Sequence, residues 1–139
     1  MSSPQTTRSD LSAVAEAIRE HDRFLLAVHE NPDGDALGSL LAAKLTLDAL
    51  GKDSVMFLAE KEFPLPVEYR FLPLQEVFHE APADLSDRTV IFLDCGNIDR
   101  MPVDFLQEDG LHILNIDHHH DNTRFGTVNL VIPEASCTA

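Results

Sequence analysis

The chain has 139 residues, enough for one domain with a buried core, and 44% of them are hydrophobic. Its 24 acidic and 10 basic residues give a net charge of −14, which argues against a binding groove for long duplex nucleic acid. The chain has no apolar run of the roughly 18 residues that a membrane span needs, no secretory signal pattern and no spaced cysteines. We therefore expect a cytoplasmic protein without a membrane partner.

The first third of the chain predicts two helices separated by a strand. Ser9 is suited to cap a first helix over residues 9–21, which carries an apolar stripe. The short apolar run "FLLAV" at 24–28 predicts a buried strand. After the polar loop "HENPDGD", a largely buried helix is expected from about residue 36 to residue 50, ending at Gly51.

The remainder of the chain continues the alternation of strands and helices. Prolines divide residues 60–88 into short pieces, for which we expect a helical turn near 67–71 and a short strand near 77–79. The final stretch "VNLVIPEASCTA" is strand-like and then suited to starting another helix, so residues 1–139 are interpreted as one domain that is incomplete at its C-terminal end. Further strands are predicted at residues 54–59, 89–93 and 112–116, with a short helix at 103–109.

This alternation predicts an α/β fold, with a parallel β-sheet flanked by helices on both faces. Acidic and histidine residues follow three of the predicted strands, where each strand ends. Because open parallel sheets bind their ligands beyond the carboxyl ends of the strands, we expect these side chains to converge. They are His29, Asp33 and Asp35 after the first strand, Asp94 after the third, and Asp117, His118 and His119 at the fourth.

The types of these residues point to metal ions. His29, Asp33, Asp35, Asp94 and His118 would offer two imidazoles and three carboxylates without a thiolate, a set that suits Mn²⁺, with Mg²⁺ or Co²⁺ as alternatives. Without cations the carboxylates would repel one another. Two neighbouring metal ions are a recurrent arrangement for attacking phosphate esters. Taken alone, each motif could instead be a polar turn or a surface tract without a function.

Four stretches in order resemble the motifs of the DHH phosphoesterase family, in particular its cytoplasmic branch of oligoribonucleases that also act as pAp phosphatases. "AVHENPDGDALGS" (27–39) resembles the first motif, "VIFLDCG" (90–96) the second and "NIDHHHDNTRFG" (115–126) the third. "PEASCTA" (133–139) resembles the start of the fourth. The resemblance implies a DHH-domain-like fold and extends from about residue 9 to the last residue.

The resemblance also implies a ligand set for two manganese ions. His29, Asp33 and Asp94 would hold one ion, and Asp35, Asp94 and His118 the other, so that Asp94 bridges the pair. A hydroxide bridging the metals would then attack phosphorus in line.

Four further residues receive roles from the same resemblance. Asp117 would orient its neighbours and fix a histidine tautomer, and His119 would contact the scissile phosphate. Arg100 and Arg124, just beyond the second and third motifs, would steady substrate phosphates.

The resemblance implies a manganese-dependent phosphoesterase acting on short single-stranded oligoribonucleotides, pAp or cyclic and linear dinucleotides. A manganese inorganic pyrophosphatase is the alternative enzyme, since the first motif of that enzyme also contains an "NPDxD"-like run, as residues 31–35 of this chain do. The third alternative is a truncated fragment that binds metal or nucleotide without turnover, because the resemblance implies a downstream aspartate ligand and a DHHA1 substrate domain that we do not expect within residues 1–139. A homodimer is compatible with the sequence.

Overall fold

The computed structural model describes residues 4–100, 106 and 110–139. Within them, single 3₁₀ turns lie at Glu60–Glu62, Val67–Tyr69, Leu85–Asp87 and Ile98–Arg100. The helices and strands are α1 (Pro4–Glu20), β1 (Arg23–Val28), α2 (Gly34–Ala49), β2 (Asp53–Met56), β3 (Thr89–Leu93), β4 (Ile113–Asp117) and β5 (Val128–Val131).

The five strands of these described residues form one parallel sheet in the order β2-β1-β3-β4-β5. In its register, Val28 of β1 pairs with Leu93 of β3, and Leu93 pairs with Ile116 of β4. The carboxyl ends of these three strands therefore lie side by side. The strand order reverses between β1 and β3, and such a reversal opens a crevice at the carboxyl edge of the sheet.

Apolar side chains alternate between the two faces of β1, as a strand that is buried on both faces requires. Leu26 and Val28 pack with Leu37 and Leu40 of α2, in a core that also includes Ala17 of α1. Leu25 and Ala27 face the other way and pack with Val90, Phe92 and Leu106. The predicted α/β fold with a parallel sheet is thus confirmed, and both faces of the sheet are covered.

Both helices begin earlier than the sequence suggested. Helix α1 starts at Pro4 instead of Ser9, since proline is favoured in the first turn of a helix. Helix α2 starts at Gly34, where the Asp33 side chain caps it by accepting a hydrogen bond from Ala36 N at 3.0 Å. The sequence predicted that this helix is largely buried, but Leu45 is 68% exposed and Leu50, just after the helix, is 57% exposed.

The other predicted elements agree in part with the structure. Strand β2 is shorter than predicted, and the strand expected at 77–79 is a single parallel bridge between Phe57 and Phe78. No helix begins after β5 in residues 132–139. The predicted helix at 103–109 lies, apart from Leu106, outside the described residues. Among the helices that the structure describes, none is long and apolar enough to cross a membrane.

Gly126 occupies a position that has no room for a side chain. A Cβ atom there would lie 2.9 Å from Val128 O and 3.0 Å from Asn115 Cβ. We expect Gly126→Ala to lower the free energy of unfolding by about 1–3 kcal/mol, because backbone must move to accommodate the methyl group. Gly38→Ala in helix α2 is the control, since its Cβ would meet nothing within 4 Å and should stabilise the helix by about 0.5–1 kcal/mol. Urea unfolding of both variants tests this, and equal midpoints would contradict it.

His112 makes the stability of the fold sensitive to mild acid. Burial lowers the pKa of His112, and the His21 ring, whose centroid is 5.1 Å away, lowers it further. A histidine whose folded pKa is depressed stabilises the fold fully above its unfolded pKa of about 6.5, and this contribution is lost as the pH falls below that value. We expect His112→Gln to flatten the fall in the free energy of unfolding below pH 6.5, as measured by urea titration at several pH values. An unchanged slope would show that other titrating groups cause the loss of stability below pH 6.5.

Candidate metal centre

The first strand delivers a buried histidine to the carboxyl edge of the sheet. His29 is 8% exposed, and its Nδ1 lies 2.6 Å from Glu30 O. Nδ1 therefore carries the proton and donates it to this carbonyl, which leaves Nε2 as the free ring nitrogen. Nε2 faces Asp94 Oδ2 at 3.5 Å and Asp33 Oδ1 at 3.9 Å. A proton added at Nε2 would be donated to Asp94, which raises the pKa of His29, although burial opposes the shift.

Asp94 lies at the middle of the candidate site, directly after β3. Its side chain is 1% exposed, and its backbone has a φ of 58°, a left-handed conformation that aspartate adopts more readily than most residues. Oδ2 faces His29, while Oδ1 lies 3.5 Å from His118 Nε2. Among the described residues, no lysine or arginine forms an ion pair with this buried carboxylate. Its surroundings therefore suit a bound cation, because a buried charge requires a partner.

Asp35 in the first turn of α2 brings a second carboxylate to His118. Its Oδ2 lies 3.2 Å from His118 Nε2. Burial would raise the pKa of Asp35, but the N–H groups of Thr138 and Ala139 donate to it at about 3 Å, and the net shift of its pKa is downward. Thr138 also donates its hydroxyl to Asp94 Oδ1 at 3.0 Å. Residues of the fourth motif thus return to the same edge of the sheet.

The end of β4 supplies the last part of the arrangement. Asp117 is buried, and its Oδ1 lies 2.6 Å from His119 Nδ1. Asp94, Asp117, His118 and His119 offer ligand atoms within 4.8 Å of one another, and His29, Asp33 and Asp94 form a second such group. The two groups share Asp94. Their nitrogen and oxygen donors could hold divalent metal ions. The group of His29, Asp33 and Asp94 equals one predicted set, whereas the other group contains Asp117 and His119 and does not include the predicted ligand Asp35.

The two predicted substrate-binding arginines lie in different places. Arg100 lines a cavity of about 230 Å³ together with His29, Asp94, His119 and Asp121, and its Nη2 is 3.3 Å from His29 Nδ1. Arg124 is not among the lining residues of this cavity. Its Nη2 lies 3.7 Å from Asp10 Oδ2 of helix α1, so the structure does not bring Arg124 to the site.

Several residues that contact the site carried no prediction. Asn122 donates to Asp117 and to the fully buried Asn115, and Thr138 bonds to both Asp35 and Asp94. All three lie inside stretches that resemble family motifs, and this position is the sequence feature that could have identified them. The roles of the seven predicted ligands and catalytic residues remain predictions, although the structure brings all seven to one edge of the sheet.

Comparisons with known proteins identify the family to which the chain is similar. The model of the DHH family, N-terminal domain, matches residues 23–139. A protein of Thermus thermophilus called "Bifunctional oligoribonuclease and PAP phosphatase NrnA" is 35% identical over 131 residues, which cover 91% of this chain and 37% of the relative. An uncharacterized protein of Mycoplasma genitalium is 29% identical over 130 residues, covering 88% of this chain and 37% of the relative.

A solved structure shares the fold. An exopolyphosphatase-related protein from Bacteroides fragilis superposes with a TM-score of 0.79 at 20% identity, covering 94% of this chain and 41% of that one. The chain spans 37% of the length of the two curated relatives. Because the family model matches residues 23–139 of 139, the chain belongs to the DHH family, whose N-terminal domain it contains.

Proposed function

We propose that the chain is the metal-binding domain of a phosphoesterase that hydrolyses short oligoribonucleotides, pAp or dinucleotides. The observation that supports this most is the placement of Asp94, whose two oxygens face two different histidines, His29 and His118, at 3.5 Å each. A buried carboxylate shared in this way suits two neighbouring divalent ions. The name of the Thermus thermophilus relative supports the nucleotide substrates.

The residues at the edge of the sheet fit a pair of manganese ions. His29, Asp33 and Asp94 would hold one ion, and Asp35, Asp94 and His118 the other. Two such ions would supply Lewis-acid stabilisation of the phosphoryl oxygens and lower the pKa of bound water. Nitrogen and carboxylate donors without a thiolate suit Mn²⁺, with Mg²⁺ or Co²⁺ as alternatives.

The chain's own groups would position the phosphate ester beside this centre. His119 donates from Nδ1 to Asp117, so its Nε2 is available to the scissile phosphate. Arg100 lies at the wall of the same cavity and would bind a phosphate oxygen. The remaining surface carries most of the net charge of −14, which would repel long polyanions and favour small substrates.

Two measurements on the chain test this function. Calorimetric titration with Mn²⁺ should give two binding sites, and turnover should be higher with pAp or a dinucleotide than with pyrophosphate. Higher turnover with pyrophosphate would favour the inorganic pyrophosphatase instead. Two tight sites without turnover would favour a domain that needs the rest of a longer protein, and no metal binding would overturn the proposal.

The remaining predictions accompany this function. We propose that residues 1–139 belong to one DHH domain and that the protein acts in the cytoplasm. A homodimer stays a prediction that sedimentation would test.

A further inference from the structure

We infer that Asn115 and Asn122 form a buried amide relay that positions Asp117 and His119 and holds the backbone turn at Asp94. The turnover test of this inference rests on the proposed function, whereas the hydrogen bonds from which it is argued do not. The relay is defined as these two asparagine side chains and the hydrogen bonds that they make.

Asn115 is an unusual residue for the middle of a buried strand. It is 0% exposed in β4, and its Nδ2 donates to Phe92 O at 3.2 Å and to Cys95 O at 3.0 Å. Both amide hydrogens are therefore used. The two accepting carbonyls lie on either side of Asp94, whose φ is 58°. The Asn115 amide therefore holds the backbone on both sides of Asp94, whose carboxylate faces both His29 and His118.

The orientation of Asn115 determines that of Asn122. With its Nδ2 committed to two carbonyls, Asn115 presents Oδ1, which accepts from Asn122 Nδ2 at 2.9 Å. The other Asn122 hydrogen is donated to Asp117 Oδ2 at 2.8 Å. Asn122 Oδ1 in turn accepts from Arg124 N at 2.6 Å, which agrees with this orientation of the amide.

The relay ends on the histidine that faces the cavity. Because Asn122 occupies Asp117 Oδ2, the other oxygen, Oδ1, is directed to His119 Nδ1 at 2.6 Å. The proton of the ring is then held on Nδ1, and Nε2 is kept free. Gly96 allows this approach, since a Cβ there would lie 3.3 Å from Asp117 Oδ2 and 3.4 Å from His119 Cβ. A single set of amides therefore connects Asp94 with His119.

Asn122→Asp is the sharpest test, because it keeps the shape of the side chain but replaces the donor with an acceptor beside Asp117. Asn122→Ala removes both the shape and the donor. Asn122 is only half-buried, so both variants should fold. Asn129→Ala is the matched control, since Asn129 pairs with Asn115 in the sheet register but its side chain bonds to Gly126 and to no site residue.

The first readout is the tautomer of His119 in the metal-free chain, measured by long-range proton–nitrogen NMR correlations of the ring. We expect one Nδ1–H tautomer in the unchanged chain and in Asn129→Ala, and a mixture of tautomers in Asn122→Asp. The second readout is turnover of a diribonucleotide with Mn²⁺. We expect kcat to fall about 10- to 100-fold in Asn122→Asp with KM changed less than about threefold, as for other residues that orient groups at a metal site.

The outcomes separate the relay from the proposed function. A single Nδ1–H tautomer in Asn122→Asp would overturn the relay, whether or not turnover falls, because a packing role alone would leave the ring unchanged. Turnover by Asn122→Asp within threefold of the unchanged chain would also overturn it. If the unchanged chain binds no Mn²⁺, the proposed function fails, and the NMR measurement on the metal-free chain still decides on the relay.

Discussion

Asp94→Asn is expected to abolish turnover and to remove binding at both candidate metal positions. Asp94 contributes one oxygen to each of the two groups of ligand atoms, so neither group keeps its full set after the change. Loss of several kcal/mol of transition-state stabilisation corresponds to a fall in turnover of about 10³-fold or more. Asparagine tolerates the left-handed backbone conformation at this position, and the variant should therefore fold. Calorimetry with Mn²⁺ and a turnover assay measure the two effects.

The control for this change is Asp121→Asn. Asp121 lines the same cavity and is exposed, but it belongs to neither group of ligand atoms. We expect it to alter metal affinity and turnover less than about threefold. If Asp94→Asn retained one tight site, Asp94 would serve a single ion, and the interpretation of a shared carboxylate would be wrong.

His119→Ala is expected to reduce turnover by about 10²–10⁴-fold, the range typical of a lost acid or base group. Its metal affinity should change little, because Nδ1 is committed to Asp117 and lies 3.9 Å from Asp94 Oδ1. The neighbouring His120 is exposed and offers a control of the same residue type, His120→Ala, that should keep full turnover. Parallel kinetics and calorimetry on both variants distinguish the two effects.

A loss of metal binding in His119→Ala would assign His119 a different role. The position of its ring among Asp94, Asp117 and His118 would then reflect direct coordination. In that case the contact with the scissile phosphate would have to come from another residue of the cavity, of which Arg100 is the candidate.

The sequence predicted the part of the fold that depends on local patterns. β1 and β3 are apolar after their first residues, and β4 is apolar apart from Asn115 and its last residue, Asp117. The polar residues at the ends of these strands are aligned by the parallel register. The exposure of Leu45 could not be predicted in this way, because the helical pattern around it is apolar on nearly all sides. Only the packing of α2 on the sheet decides which leucines are covered.

The sequence predicted that the candidate metal ligands gather at one edge of the sheet, because they follow the strands, whereas the residues that contact them were not predicted. Asn115 sits inside a strand where an apolar residue would be expected, and its partners are carbonyl groups of a different strand. Thr138 is distant in sequence from Asp35, and its hydrogen bonds depend on the path of the chain after β5. Contacts of this kind arise from tertiary structure and leave no periodic signal.

The adjacency of β1 and β3 has a consequence for how the domain folds. His29 and Asp94 come from parts of the chain separated by α2, β2 and a proline-rich connection, so the unfolded chain has no preformed chelate. Ions that bind only the native chain shift the folding equilibrium toward it by mass action, by about 2.7 kcal/mol at a concentration one hundred times the dissociation constant. Chelation by EDTA should accordingly lower the thermal midpoint of a manganese-loaded sample, and that drop would report assembly of the central strands independently of any substrate.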